Sequence, residues 1–465
     1  MSQNAIHAFT FKDLHLVYDG VSQTLLTVDE VGLEVATLFK KMTRQRLVAE
    51  LSSHFPRDVV EHAYDEIAGL VTEGALFCDE EQLFITPQSS NLRPPLALSG
   101  MCLNVAHDCN MRCSYCFAGT GRYGGRRSLM DGSSARSALD FLFQRAGGRA
   151  HLYVDFFGGE PLMNWDVIQD SIAYGNQLAS SSGRTITWSL TTNGILLDDK
   201  VNDFLNSERV NVIISIDGRP HIHNQMRRDT RSKGTYETVL NRAKRLYESR
   251  YPEMTHRYGE GVYTYIRGTY TRHNLDFFQD IVHLYQEGFR HIAMEPVVSD
   301  ASASWVIQNE DLNVLTQQYE LLVEFVLESR RRKDPLYFHH FDIDLRRGPC
   351  LGKRLSGCGA GVHYLAVSPE GDIYPCHQFV GQTEFRMGDV FTGELNSDLT
   401  HTFEHVNFDM NPVCRTCFAR YQCGGGCHAN HWLIHHTLLY PDDFSCQLIK
   451  KRLECALYLE ATEGM

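Results

Sequence analysis

The sequence predicts an α/β fold whose centre is a parallel sheet of six βα units, preceded by a small mixed module and followed by a cysteine-rich segment. Three observations carry this. Between residues 101 and 297, six apolar, β-rich runs alternate with helical patterns at βα spacing. Up to about Leu92 the chain instead groups three strand-like runs ahead of three amphipathic helical stretches. The 14 Cys are placed by position: apart from Cys78 they fall near the start of the βα region or after residue 349. A length of 465 residues, at about 150 per domain, agrees with three units.

The first unit, 1–92, opens with runs His7 to Phe11, His15 to Tyr18 and Thr24 to Val28, with a turn at Asp19-Gly20. Helical periodicity follows over Glu30 to Met42, Gln45 to His54 and Pro56 to Glu73, and a short hairpin is expected around Ala75 to Ile85. Strands, three helices and a wing make a winged-helix-like module, but it is not basic, which argues against DNA binding. Asn91-Leu92-Arg93-Pro94-Pro95 reads as an extended linker.

The second unit, 98–310, has strands over Met101 to Ala106, Leu152 to Phe157, Thr185 to Thr191, Val210 to Ile216, Val262 to Thr269 and His291 to Val297. Such a sheet is either open and doubly wound or curved into a full or partial barrel. In both cases chemistry belongs at the C-terminal strand ends. A helix over Leu312 to Arg332 lies in a bridging region, 311–345, and 346–465 is rich in Cys, Gly and turns.

Composition narrows the class. With 57 acidic against 44 basic residues the net charge is −13, which disfavours a broad phosphate-binding surface and nucleic acid as main partner. No apolar run approaches the eighteen or so residues of a membrane span, and MSQNAIHAFTFKD contains no basic segment leading into an apolar core. A soluble cytoplasmic protein is the expectation. In that compartment thiols stay reduced, so clustered Cys point to metal or redox chemistry.

Directly after the first sheet strand stands His107-Asp108-Cys109-Asn110-Met111-Arg112-Cys113-Ser114-Tyr115-Cys116-Phe117. Three thiolates at C-x3-C-x2-C spacing can hold three irons of a 4Fe-4S cluster and leave the fourth open. A zinc reading needs a fourth ligand, for which His107 is available. Gly158-Gly159-Glu160-Pro161 closes the second strand, Thr191-Thr192-Asn193-Gly194 the third and Ser215-Ile216-Asp217-Gly218 the fourth. Taken singly these are turn residues.

The triplet with its interleaved aromatics resembles the signature of the radical S-adenosylmethionine (SAM) enzymes, and the strand ends agree with it. The resemblance implies a partial (β/α)6 TIM-like barrel. It makes Cys109, Cys113 and Cys116 the ligands of a SAM-binding 4Fe-4S cluster. Gly158, Gly159 and Glu160 then hold the methionine ammonium, and Tyr115, Thr192, Asn193, Ser215, Asp217 and Arg227 are further SAM contacts, with Arg227 assisting Ser215. One-electron cleavage of SAM would give a 5′-deoxyadenosyl radical able to abstract an unactivated hydrogen, with the protein supplying orientation and exclusion of water.

The later Cys run, Cys358, Gly371, Cys376, then Cys414-x2-Cys417-x5-Cys423-x3-Cys427 and Cys446, does not match the paired knuckles of a zinc ribbon. It resembles the SPASM extension, which implies two auxiliary 4Fe-4S clusters, three in all. One would take Cys414, Cys417, Cys423 and Cys446, the other Cys358, Cys376 and Cys427. Cys350 is the candidate fourth ligand of the latter; without it that cluster has an open iron able to capture a substrate thiolate.

Stretches such as Lys353-Arg354-Leu355-Ser356-Gly357-Cys358-Gly359 and Tyr374-Pro375-Cys376-His377-Gln378-Phe379 resemble thioether-forming peptide maturases. These include those acting on six-Cys-in-forty-five peptides and the maturase of the quinohemoprotein amine dehydrogenase small subunit. The implied partners are a Cys-containing precursor peptide or small subunit, docked by its leader on the N-terminal module through strand pairing, and an electron donor such as flavodoxin or ferredoxin. Two other readings stay open: formylglycine formation, as in the anaerobic sulfatase maturases, and a non-catalytic Fe-S electron carrier or zinc scaffold. Cys78, Cys102 and Cys455 are expected to be buried and inert. His107 and His377 flank cluster Cys. His339-His340 and His435-His436 are expected to point apart on a strand, and the basic stretch from Arg227 to Arg257 reads as a solvated helix face.

Overall fold

Two sheets carry the fold, and the computed structural model describes residues 6–78, 97–250, 262–299, 302–345 and 357–463. The first sheet is antiparallel, with order β1 (Ile6–Phe11), β2 (Leu14–Asp19), β3 (Leu25–Val28). Three helices cover it: α1 (Glu30–Leu38), α2 (Arg44–Leu51) and α3 (Arg57–Thr72). Asp29 caps α1 by accepting from Gly32 N, satisfying one of the orphan amides of the first turn. Val17, Val35, Leu47, Val60 and Ile67 close a small core between sheet and helices. The expected hairpin lies mostly outside the described residues, and its described part, 75–78, holds no strand.

The second sheet starts at β4 (Gly100–Ala106) and proceeds through α4 (Gly132–Arg145), β5 (His151–Gly158), α5 (Trp165–Ser182), β6 (Thr185–Thr192), α6 (Asp199–Ser207) and β7 (Asn211–Ser215). After α7 (Pro220–Met226) and α8 (Tyr236–Arg250) come β8 (Thr264–Tyr270), α9 (Phe277–Gln286), β9 (His291–Pro296), α10 (Leu312–Arg331) and β10 (Tyr337–Phe338). All six expected βα strands are present and pair in parallel in sequence order.

Two additions were not legible. β10 pairs with β9, and β11 (Tyr364–Val367) returns to pair in parallel with β4 at the other edge. β12 (Asp372–Tyr374) and β13 (Gly388–Asp389) then extend that edge antiparallel. Both parallel additions are shorter than five residues and carry little periodicity of their own.

The sheet curves into a partial barrel around a lumen, and burial along β8 records it. Thr264, Ile266, Gly268 and Tyr270 are buried towards the helices, while Tyr265, Arg267 and Thr269 between them retain accessible surface on the inner face. A flat parallel sheet covered on both faces would bury both sets.

The C-terminal segment continues through α11 (Ser397–His405), α12 (Pro412–Arg415), α13 (Arg420–Cys423), α14 (His428–His435) and α15 (Asp443–Glu463). Helix α15 fastens the N-terminal module: Tyr18 packs on Leu453, Leu457 and Ala419, the His7 ring stacks 3.7 Å from Phe418, and His7 Nε2 lies 2.9 Å from Glu454 Oε1. No described helix is long and apolar enough to cross a membrane.

Two expectations need correction, and a third group of residues is not described. His339 and His340 sit on a 3-10 turn, and both face the same cavity; they do not point apart. Arg227 and Arg250 within the basic stretch are buried, Arg250 donating to Val210 O at 2.7 Å, so this is not simply a solvated face. Cys350, Lys353 to Ser356 and the 91–95 linker lie outside the described residues.

Candidate active site

A cavity of about 830 Å³ opens at the C-terminal ends of β5 to β9 and runs into the Cys-rich segment. The loop after β4 forms one wall. It is pinned to the segment after α7 by Arg112 N donating to Arg228 O at 2.7 Å and Ser114 N donating to Met226 O at 2.9 Å. This presents Cys109, Cys113 and Cys116 to the cavity. Met111 N and Asn193 Nδ2 point at Cys109 Sγ at 3.4 and 3.7 Å, the contacts that temper charge on a metal-bound sulfur.

Behind that wall, Asp217 is fully enclosed. It accepts from Tyr115 Oη, from Thr269 N at 2.9 Å and from Arg227 Nε at 3.0 Å, and the Arg227 guanidinium lies over the Tyr115 ring at 5.3 Å. This one carboxylate ties the Cys loop to β7 and β8. Glu160 is similarly enclosed, accepting from Leu162 N at 3.1 Å, Thr192 Oγ1 at 2.7 Å and Asn193 N at 2.8 Å. Burial pushes its carboxyl up to about 7 although the three donors pull it down. Tyr115, Gly158, Gly159, Thr192, Asn193, Ser215 and Arg227 line the cavity; Glu160 and Asp217 stand behind the lining.

The later Cys separate into two groups without any bond between them. Cys423, Cys446, Cys417 and Cys414 feel one another's charge, as do Cys376, Cys427 and Cys358. The branch point is Gly424-Gly425-Gly426, at φ +69°, +92° and +89°, a left-handed run between Cys423 and Cys427 that only glycine adopts freely. It lets Cys separated by three residues serve different groups. All of these but Cys376, which is buried behind the wall, line the cavity that also holds Cys109, Cys113 and Cys116.

The donor chemistry fits clusters. Burial pushes the Cys109 and Cys423 thiols up to about 12 and those of Cys113 and Cys446 up to about 11. Such groups become thiolates when a cation takes the proton's place. Cys78, Cys102 and Cys455 are buried, as expected.

Sequence reasoning missed most of the opposite wall. Arg267, Thr269, Glu295, His339, His340 and Arg452 face the Cys loop across the cavity. Arg452 Nη1 and Nη2 both lie 3.2 Å from Glu295 Oε2, and its Nε donates to Tyr319 Oη at 2.8 Å. Burial raises the Glu295 carboxyl, but the facing His340 and Arg452 outweigh it and hold it well below the usual range. Thr269 and Glu295 stand at strand ends, where the barrel rule would have found them. Arg452 gives no such signal, being brought in by α15 from the far end of the chain.

Comparison with known proteins agrees with this geometry. Residues 103–266 match the model of the radical SAM superfamily, and residues 358–418 match SPASM, an iron-sulfur cluster-binding domain. The chain thus carries a radical SAM domain followed by a SPASM domain. It is 26% identical over 360 residues to the cysteine-type anaerobic sulfatase-maturating enzyme of Clostridium perfringens, covering 72% of this chain and 89% of the relative. It is 18% identical over 459 residues to the radical SAM cyclopropyl synthase TigE of Paramaledivibacter caminithermalis, covering 95% and 91%. Among solved structures, native anSMEcpe with bound AdoMet and Cp18Cys peptide matches at a TM-score of 0.64 and 20% identity, covering 79% of this chain and 100% of that one. Streptococcus suis SuiB bound to precursor peptide SuiA matches at 0.53 and 14%, covering 96% and 98%.

Proposed function

We propose that this enzyme is a peptide maturase that joins Cys sulfur to carbon in a ribosomally made peptide, forming intramolecular thioether crosslinks. The observation that carries the reading is one cavity lined by members of all three Cys groups, in a chain that also holds a docked N-terminal module with an open sheet edge. In this reading residues 1–92 recognise the peptide, 98–310 form the barrel, 311–345 bridge, and 346–465 hold the auxiliary clusters.

The N-terminal module supports peptide capture. Among the described residues one edge of β3 is unpaired in its sheet, and beside it a groove of about 600 Å³ runs between β3 and α3. Leu26, Val28, Val59, Ile67 and Leu70 supply its apolar lining, and Asp29, His62, Glu66 and Glu73 its polar part. An extended leader adding to β3 would satisfy that strand's backbone groups and place alternate side chains in the groove. Val59 is exposed there, so Val59→Glu should weaken peptide binding about tenfold, or about 1.4 kcal/mol, at unchanged SAM cleavage. Fluorescence anisotropy with labelled peptide reads the first and deoxyadenosine release the second.

In this reading Cys109, Cys113 and Cys116 hold the SAM-site cluster, while Cys414, Cys417, Cys423 and Cys446, and Cys358, Cys376 and Cys427, hold two auxiliary clusters. A cluster held there would supply the electron for reductive cleavage of the SAM sulfonium. The protein's own work is positioning. Asp217 fixes the loop bearing Cys113 and Tyr115 and Glu160 holds the strand end from behind the lining, while the residues that would hold SAM are Gly158 and Gly159 through their backbone, Glu160 for its ammonium, and Ser215 with Arg227 for its carboxylate. Arg267, Glu295 and Arg452 form the polar wall against which the peptide lies.

The deciding experiment is anaerobic incubation of reconstituted enzyme with SAM, reductant and a Cys-containing peptide encoded beside its gene, followed by intact mass and thiol alkylation. Loss of two hydrogens per event together with an alkylatable Cys supports thioether formation. The relatives that mature sulfatases favour a second reading, formylglycine formation. Its signature is a hydrazide-reactive aldehyde in place of the thiol. The anSMEcpe match leaves about a fifth of this chain uncovered, whereas the SuiB and TigE matches run nearly end to end, which favours the maturase with a leader-binding module.

A further inference from the structure

We propose that His401, Glu404 and His405, on the outer face of α11, form a binding site for a zinc-class divalent cation, separate from the cysteine groups. The spacing i, i+3, i+4 places the three side chains on one helix face. Their ligand atoms all lie within 4.8 Å of one another, and the two imidazole rings are 3.9 Å apart. Tetrahedral zinc holds nitrogen and oxygen at about 2.0–2.2 Å, so closing the set requires the ligand atoms to approach by an ångström or so. The exposed His401 and His405 can supply most of that approach by rotamer adjustment towards the half-buried Glu404.

A second observation orients one ligand. His405 Nδ1 lies 2.8 Å from the His401 carbonyl oxygen. A carbonyl only accepts, so Nδ1 carries the hydrogen and Nε2 presents its lone pair outward. Metal-bound imidazoles show the same arrangement, the second nitrogen donating to a backbone carbonyl and fixing the tautomer. The three residues also occupy the last turns of α11, where the helix dipole favours a cation.

Two imidazoles and one carboxylate suit zinc better than calcium or magnesium, which prefer all-oxygen sets. The set contains no thiolate and lies on the surface, away from the cavity lining, so its metal would neither join a cluster nor meet SAM. Its effect is mechanical. On the opposite side of α11, Phe403 is buried against Phe379, Phe385 and the His428 ring, in the packing that also contains Cys376 and Cys427. A cation bridging the last turns would stiffen the helix that backs that cysteine group.

The test uses the anaerobic holoenzyme with its clusters in place. It is dialysed against micromolar zinc chloride, and zinc and iron are counted by mass spectrometry beside the visible cluster absorbance. The wild type should retain one zinc per chain. The His401→Ala/His405→Ala double variant should bind at least tenfold more weakly and Glu404→Gln several-fold more weakly, with iron and absorbance unchanged in each. Thermal unfolding gives an independent reading: zinc should raise the midpoint by a few degrees in the wild type alone. Equal zinc retention in the double variant, or zinc gained only as iron is lost, would overturn the site. Neither outcome bears on thioether formation, which does not depend on this metal.

Discussion

The barrel and the Cys-rich segment hold their cysteines by different means. Cys109, Cys113 and Cys116 lie in a loop clamped at both sides by regular structure: β4 precedes it, Arg228 and Met226 bond to it, and Asp217 anchors it through Tyr115 and Arg227. Cys414, Cys417 and Cys423 instead sit on or between two four-residue helices, α12 and α13, and a glycine run separates them from Cys427. Helices that short have no cooperative stability of their own. The expectation is that the first set of thiols is positioned without metal, whereas the second relies more on its metal for order.

The largest effect should come from removing each set. Replacing Cys109, Cys113 and Cys116 with Ala should reduce deoxyadenosine release to background and, on the proposed set of three clusters, remove about a third of the bound iron, with circular dichroism and the unfolding midpoint little changed. Replacing Cys414, Cys417, Cys423 and Cys446 should remove about as much iron and also release the segment from about residue 410 to 446 to protease. Equal protease resistance in both variants would break the contrast.

Within the barrel, the anchor itself is the next target. Asp217 is fully buried, and Arg227 is nearly so. Asp217→Asn leaves a buried guanidinium without its counter-charge, which typically costs about 3–5 kcal/mol. The expected result is a lower unfolding midpoint together with impaired cluster assembly at Cys113, while iron at the auxiliary sites is retained. An Asn variant with normal stability and normal SAM cleavage would show that the loop is held by its backbone bonds alone.

The same contrast explains what could be read from the sequence. All six βα strands were legible because apolar alternation is local, and the strand ends then located Gly158, Thr192 and Ser215. The Cys groups were legible because the spacing of thiols is itself the signal. Pairing across long distances was not: β11 finds β4 only after more than 250 intervening residues, and Arg452 reaches Glu295 from α15. The strand geometry expected for His339-His340 fails because the 3-10 turn that sends both into the cavity carries no periodic signature. Asp217 was legible as a candidate, but its enclosure by Tyr115, Thr269 and Arg227 belongs to tertiary structure.

The smallest effect expected is a pH dependence on the barrel side. Without a cation nearby, Glu160 has a folded-state pKa of about 7 against an ordinary 4.5, because burial outweighs its three donors. The sign follows from linkage: with the folded value raised, the stability tied to protonated Glu160 is complete below about 4.5 and is lost as pH rises through 7. An ammonium held beside this carboxylate favours the ionised form and reverses the balance. Below about pH 7, SAM binding must then expel a proton, and SAM affinity should fall by up to about tenfold for each unit the pH drops. Glu160→Gln should flatten that dependence, as measured by equilibrium dialysis with radiolabelled SAM between pH 5.5 and 8. A wild-type affinity independent of pH would restrict Glu160 to capping the end of β6 through Thr192 and Asn193. The ammonium would then have to be met by other groups at the strand ends, such as the Gly158 and Gly159 backbone.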